Sequence, residues 1–471
     1  MTPTDVAQTR LLIDAVTAER RVAQICAGRL DRLLIDRGGP ARFDVHVGRV
    51  RRVLPEIKAA MVALDGVADG LLPFDRSDGP LHEGQWVIVQ IARLGFEDKG
   101  PKLTGRISLE GLGLIYRPHG GVIDVPRKLK DEARRDQLTA LLRRLAAEGE
   151  SLTLRSVALD WPDTAIEGEF KRLRQIWRDS LAAQKIATGP KQIFQALSDA
   201  DQLIERHVMQ GGACVVDGAA EHIRLRGYLR ALGVEDADIA VHRGPSLLFD
   251  HEGVEEQIEV ALGTRVDLGD GAWLAIDEAT ALCAIDINGG GADAGDNAGQ
   301  RALAINCRAA TEIVRQVRLR NIGGLVVIDP LRMAARPARD RFEQVLRDAF
   351  GDEMTGNVQI GGFTRLGLYE FSRQRSGVSL SARFFAGSAP RPLLSVAARA
   401  GILRAIIARM RSQPAGRYQV WVPPGMAAQL QSDPQSLRLL QESMGTVPQI
   451  GDRPDLTDME VIVERIRDQE G

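Results

Sequence analysis

The chain has 471 residues, 44% hydrophobic and 26% charged, which is ordinary globular usage. That composition excludes wholesale disorder and suggests about three domains of ~150 residues. Its 61 Lys+Arg nearly cancel its 63 Asp+Glu, for a net charge of −2, so it is no histone-like polycation, while local basic patches stay open.

Residues 10–48 read as short strands. From residue 47 to 109 the pattern is more clearly β: apolar runs at 47–50, 59–64 and 86–91 are separated by turn signals at 65–66, 78–80 and 99–101. Short strands at this spacing suggest a small barrel. Residues 110–180 turn helical and basic, with sixteen Lys/Arg against eleven Asp/Glu between Lys99 and Arg178. Such a run is either a solvated helix face or a polyanion surface. Residues 190–262 are mixed α/β. The most regular stretch follows. Residues 281–287 form a continuous apolar strand, then a Gly-rich turn at 289–296, then a helix over 300–320, stopped by Gly323 and Gly324. Residues 325–329 form a second buried strand, so the unit is strand–helix–strand with parallel strands. A helix at 339–350, a strand near 358–361, a linker marked by Pro390 and Pro392, and a small C-terminal α/β domain complete the chain.

Asp286 and Asp329 each close one of the two predicted parallel strands, at the carboxyl ends where α/β sheets bind ligands. Neighbouring strands lie ~4.8 Å apart, so the two carboxylates repel unless a cation lies between them, and hard oxygen donors suit Mg²⁺. Asn288 points the same way two residues on and is placed to orient a carboxylate or a bound water. The bland alternative is a pair of capping or loop carboxylates. The intervening helix carries Arg301, Arg308, Arg315, Arg318 and Arg320, either as complements to the helix dipole or as a basic wall for a polyanion. The Gly-rich turn lacks the Gly-Lys-Ser/Thr of a P-loop, and neither Gly-x-Ser-x-Gly nor His-Glu-x-x-His occurs. The four cysteines form no Cys-x-x-Cys pair, against a zinc ribbon or disulfide framework. No run of about 18 apolar residues and no signal-peptide core is present, so a soluble, cytoplasmic chain without a membrane span is expected.

The segments 284–288, 309–329 and 365–375 closely resemble the catalytic region of the ribonuclease E/G family, with weaker similarity over residues 10–262 and into the C-terminal part. The resemblance implies a multidomain α/β architecture. Its parts are an RNase H-like region (1–43 and 206–262), an inserted OB-fold RNA-binding barrel (44–109), a 5′-end sensor-like subdomain (110–205), a DNase I-like catalytic domain (263–385) and a small C-terminal domain (386–471). It implies a Mg²⁺-dependent endoribonuclease acting on single-stranded RNA in RNA processing, rRNA included, or decay, leaving 5′-phosphate and 3′-hydroxyl ends. Carried over residue by residue, Asp286 and Asp329 hold the metal and Asn288 supports a carboxylate. Lys99, Arg127, Lys128, Arg365 and Arg373 contact RNA, and Gly111, Ile115, Arg155 and Ser156 form a 5′-phosphate pocket. A homodimer is compatible with the family.

Departures from the family pattern are informative. Met61 and Leu71 stand where the barrel usually carries two base-stacking phenylalanines, at ~1–3 kcal/mol per lost stack. The zinc-linking Cys-Pro-x-Cys is missing after Leu380, so no zinc is expected. The turn after Asn288 lacks the usual basic residue, and Arg332 replaces an acid common in the family. In extent the chain is similar to the ribonuclease G-like members, without a long scaffold tail. Two other readings remain: an RNA-binding relative with weak or no cleavage, and an unrelated Mg²⁺-dependent phosphate-handling enzyme.

Overall fold

The computed structural model describes residues 9–77, 79–95, 100–126, 129, 131–231, 234–290, 298–354, 357–374, 377–386, 393, 395–411, 416–445, 447–457 and 459–466. Lys99, Arg127, Lys128, Pro390, Pro392 and residues 291–297 of the Gly-rich turn lie outside them. The fold divides into two compact units, Gly38–Met209 with Leu229–Val234, and Met1–Arg37 with Gln210–Tyr228 and Glu235–Gly471.

In the first unit, strands Val45–Leu54, Ala59–Ala63, Gly70–Pro73, Trp86–Arg93 and Lys102–Thr104 form a sheet. Trp86–Arg93 pairs back with Val45–Leu54, which closes a five-stranded barrel consistent with an OB-like domain. Alternate residues, among them Val50, Val62, Leu72, Val89 and Leu103, point inward and fill it. Residues 110–180 hold more strand than their basic, Leu-rich sequence suggests. Leu109–Glu110, Leu114–Arg117, Ile123–Asp124 and Ser151–Leu154 make a four-stranded sheet beside helices Glu132–Leu145 and Asp163–Lys185. These strands are two to four residues long, too short for a period of two to stand out.

In the second unit, Thr9–Asp14 lies between antiparallel Arg20–Cys26 and parallel Ala213–Asp217, so the chain completes this sheet when it returns. The buried Asp14 carboxylate meets Arg21 at 2.5 Å and Arg404, from helix Ser395–Arg411, at 3.1 Å. Burial pushes this carboxyl up, but the two guanidiniums outweigh it and hold it below its ordinary value. Removing one partner from so buried a cluster typically costs about 3–5 kcal/mol. A three-stranded sheet, with Tyr418–Val422 central, and helices Ser395–Arg411, Met426–Ser432 and Pro434–Met444 form the C-terminal α/β layer pair.

The remaining sheet carries the expected metal pair. Its strands are β1 (Arg265–Gly269), β2 (Ala272–Glu278), β3 (Leu282–Asn288), β4 (Gly324–Asp329), β5 (Val358–Phe363) and β6 (Tyr369–Arg373), in the order β1-β2-β3-β4-β6-β5. Helix α1 (Ala298–Leu319) joins β3 to β4, and α2 (Arg336–Phe350) joins β4 to β5. β3 and β4 are parallel, as expected, but their neighbours β2 and β6 are antiparallel, so the sheet is mixed. Ile305, Ala309, Ile313 and Val317 of α1 recur every three to four residues and bury against Ile285, Ile287, Val326 and Ile328. The opposite face of the sheet leaves Ala284, Asp286, Leu325 and Asp329 exposed. Among the described residues, no helix is long and apolar enough to cross a membrane.

Candidate active site

Strand alternation decides which side chains reach the open face. In β3, Cys283, Ile285 and Ile287 enter the core, which turns Ala284, Asp286 and Asn288 outward. In β4, Val326 and Ile328 are buried, which turns Leu325, Val327 and Asp329 outward. Asp286 and Asp329 are direct register partners, so the two carboxylates stand abreast on strands ~4.8 Å apart. Both are exposed, and neither has an ion pair or side-chain hydrogen bond among the described residues. A basic residue would ordinarily neutralise such a pair. No group of three His, Cys, Asp or Glu side chains converges among the described residues, so a metal here would take two protein carboxylates and fill its other positions with water or phosphate oxygens.

Asn288 accepts a hydrogen bond from the Gly290 amide on Oδ1 at 3.2 Å. That contact closes the turn leaving β3 and leaves the Nδ2 donors available on the open face. Gly290 sits at φ +60°, and a Cβ there would lie 2.2 Å from the Gly271 carbonyl oxygen, so only glycine fits.

The arginines of α1 do not form a basic wall beside the aspartates. Arg308 pairs with Asp270 at 2.8 Å, Arg315 pairs with Glu312 at 2.6 Å, and Arg318 is bound to Glu353 and to the Ala349 and Phe350 carbonyls. Arg320 is buried, with Nη1 donating to the Gly263 carbonyl at 2.7 Å. The helix packs on the face opposite the aspartates, so these cations anchor it. Arg373 is likewise committed: its side chain is 10% exposed, pairs with Glu353 at 3.0 Å and donates to the Ile322 carbonyl at 3.0 Å. It also pairs in register with Gly324, at the end of β4 away from Asp329. In this arrangement Arg373 ties Glu353 to the Ile322 carbonyl. Arg365 is exposed in the turn between β5 and β6.

On the barrel, register assembles a row that sequence spacing hides. Arg52 pairs with Met61, Met61 with Leu71, and Leu71 with Lys102, so four side chains cross four strands on one face. Met61 and Leu71 are half-buried, and the flanking Arg52 and Lys102 are exposed without ion pairs among the described residues. Arg52 and Lys102 had no motif to announce them; only the strand pairing reveals them.

Of the expected 5′-phosphate pocket, Arg155 and Gly111 come together. Arg155 Nη1 donates to the Gly111 carbonyl at 2.8 Å and the Leu112 carbonyl at 3.0 Å, and Nη2 pairs with buried Glu205 at 2.9 Å. Glu169 accepts from the Gly113 amide at 2.7 Å and lies where a Cβ on Gly111 would fall. Ile115 is half-buried opposite Thr153, and Ser156 is exposed.

Residues 108–376 match the Ribonuclease E/G family. This chain belongs to that family. Ribonuclease E of Nostoc sp. is 31% identical over 374 residues, 75% of this chain and 54% of that protein. Ribonuclease E of Escherichia coli is 31% identical over 398 residues, 79% of this chain and 37% of that protein. Ribonuclease G of Haemophilus influenzae is 27% identical over 395 residues, 79% of this chain and 80% of that protein. The chain thus spans about half the length of the first ribonuclease E relatives it matches. Asp286, Asn288, Asp329, Arg155 and Arg365 fall inside the family match, and the barrel row at 52, 61, 71 and 102 precedes it.

Proposed function

We propose that this chain is a Mg²⁺-dependent endoribonuclease that cuts single-stranded RNA in the cytoplasm, in RNA processing, rRNA included, or decay. The observation that carries the reading is the unneutralised pair Asp286 and Asp329, abreast at the ends of parallel strands, within the segment that matches the ribonuclease E/G family. The pair fits a hard divalent cation in charge and donor type. A cation held there supplies Lewis-acid chemistry, activating water and screening charge on the phosphodiester. Hydrolysis breaks the P–O3′ bond, leaving a 5′-phosphate on one product and a 3′-hydroxyl on the other. Asp286 and Asp329 hold the cation, the Nδ2 donors of Asn288 orient a carboxylate or water, and Arg365 contacts the backbone. The barrel grips the strand through Arg52 and Lys102, with Met61 and Leu71 as an apolar platform and Lys99 as a further cation, and Arg127 and Lys128 of the sensor-like subdomain also contact RNA.

The same reading takes residues 1–43 and 206–262 as RNase H-like, 110–205 as 5′-end sensor-like, 263–385 as DNase I-like and 386–471 as a small terminal domain, with the chain acting as a homodimer. Gly111, Ile115, Arg155 and Ser156 read a 5′-phosphate, so Arg155→Ala should remove any preference for 5′-monophosphorylated over 5′-hydroxyl RNA. A wild type without such a preference contradicts that assignment.

The test of the activity is incubation of a labelled single-stranded RNA with purified protein, in Mg²⁺ or in EDTA. Internal cuts in Mg²⁺ alone support the reading. Binding without cuts across several RNAs favours a non-cleaving RNA-binding relative, which the absence of aromatics at Met61 and Leu71 does not by itself require.

A further inference from the structure

A cleft of about 350 Å³ adjoins Asp329, outside the carboxylate pair itself. Asp329, Arg332, Arg339, Phe363, Thr364 and Arg365 line it. Its charges are unbalanced: three guanidiniums face one carboxylate. Arg332 and Arg365 are exposed and have no ion pair among the described residues. Arg339 is held in place, with Nε donating to the Met333 carbonyl at 2.9 Å and its guanidinium 5.7 Å from the centre of the Phe363 ring. Its Nη donors stay available. The Thr364 hydroxyl is buried and lacks a hydrogen-bond partner among the described residues, which is uncommon for a polar atom. The Thr364 amide donates to the Leu368 carbonyl at 2.7 Å, and the Gly367 amide to the Thr364 carbonyl at 3.1 Å. This tight turn fixes Arg365 and leaves Leu366 at 90% exposure on the cleft rim.

From this convergence we infer that the cleft is a phosphate subsite, which holds the backbone phosphate of an RNA nucleotide next to the linkage that is cut. Planar guanidiniums on several sides match the tetrahedral oxygens of a phosphate. Leu366 and Phe363 give the attached ribose and base an apolar wall. The size suits one nucleotide and no more. The inference deepens the RNA-cleaving reading and rests on it for the identity of the strand.

The experiment is equilibrium binding of a short single-stranded RNA in EDTA, across a salt series, with wild type, Arg332→Ala, Arg365→Ala and Arg336→Ala. Arg336 is 93% exposed and does not line the cleft, so it controls for general surface charge. Each lost phosphate contact lowers the slope of log affinity against log salt by about 0.7 on a single strand. Arg332→Ala and Arg365→Ala should each lose about that much, and Arg336→Ala should match wild type. Equal slopes in all four proteins overturn the subsite, as does a wild type that binds no RNA. Because no cleavage is measured, a wild type that binds with the predicted slopes but never cuts leaves the subsite standing and removes only the nuclease reading.

Discussion

Asp286 and Asp329 are costly residues to place side by side. Two like charges on adjacent strands repel, and no basic side chain among the described residues forms an ion pair with either of them. Their position is explained if a cation joins them, and that explanation has a thermal signature independent of cleavage. Without metal, Asp286→Asn should melt within about 2 °C of wild type or above it, because the substitution removes repulsion and no core contact. Millimolar Mg²⁺ should raise the wild-type melting temperature by mass action and leave the variant nearly unmoved. A variant that melts far below wild type in EDTA would mean that the carboxylate supports the fold instead. Asn288 shows how one side chain serves two purposes: its oxygen shapes the turn through Gly290, and its amide donors stay on the open face.

The barrel and the sheet behind the aspartates each make a claim that does not depend on the other. On the barrel, Met61 and Leu71 face each other across two strands between Arg52 and Lys102. Methionine and leucine offer apolar area but no ring for a base to stack on. Met61→Phe should therefore tighten single-stranded RNA binding by about 1–3 kcal/mol, read as a fall in Kd of roughly fivefold or more. An unchanged Kd would mean that bases do not lie on this row. In the sheet, Glu353 gathers Arg318 and Arg373 and so ties α1 to β6. Burial raises the Glu353 carboxyl, and the two arginines outweigh it, holding it below its ordinary value of 4.5. A lowered carboxyl stabilises the fold above that ordinary value and loses its contribution as pH falls through the lower folded one. Glu353→Gln should thus lower the melting temperature near neutral pH, and the gap from wild type should close as pH falls below 4.5 and through the lower folded value. A gap that persists at low pH would assign the loss to packing.

What could be read from sequence follows from length and burial. The runs at 281–287 and 325–329 are apolar apart from Asp286 and Asp329, and Gly323 and Gly324 stop the helix between them, so strand, helix, strand and the two aspartates were legible. A small barrel was legible from three apolar runs and the turns between them, but its strands Gly70–Pro73 and Lys102–Thr104 are too short to stand out. The four short strands beside helices Glu132–Leu145 and Asp163–Lys185 were not, because two to four residues carry no readable period. Nor could a row of arginines in α1 declare its direction: Arg318 finds Glu353, and Arg320 finds the Gly263 carbonyl, only after folding. The cleft of Arg332, Arg339 and Arg365 is hidden in the same way, since a helix start and a hairpin bring its residues together. Across both units, the proposed function requires that Asp286 and Asp329 act in cleavage and not in RNA capture. The most direct test measures both on one single-stranded RNA, for wild type, Asp286→Asn and Asp329→Asn in Mg²⁺. Internal cuts are expected from wild type alone, with all three proteins binding the RNA to within a few-fold. Cleavage that survives either substitution in a folded protein would contradict the proposed function.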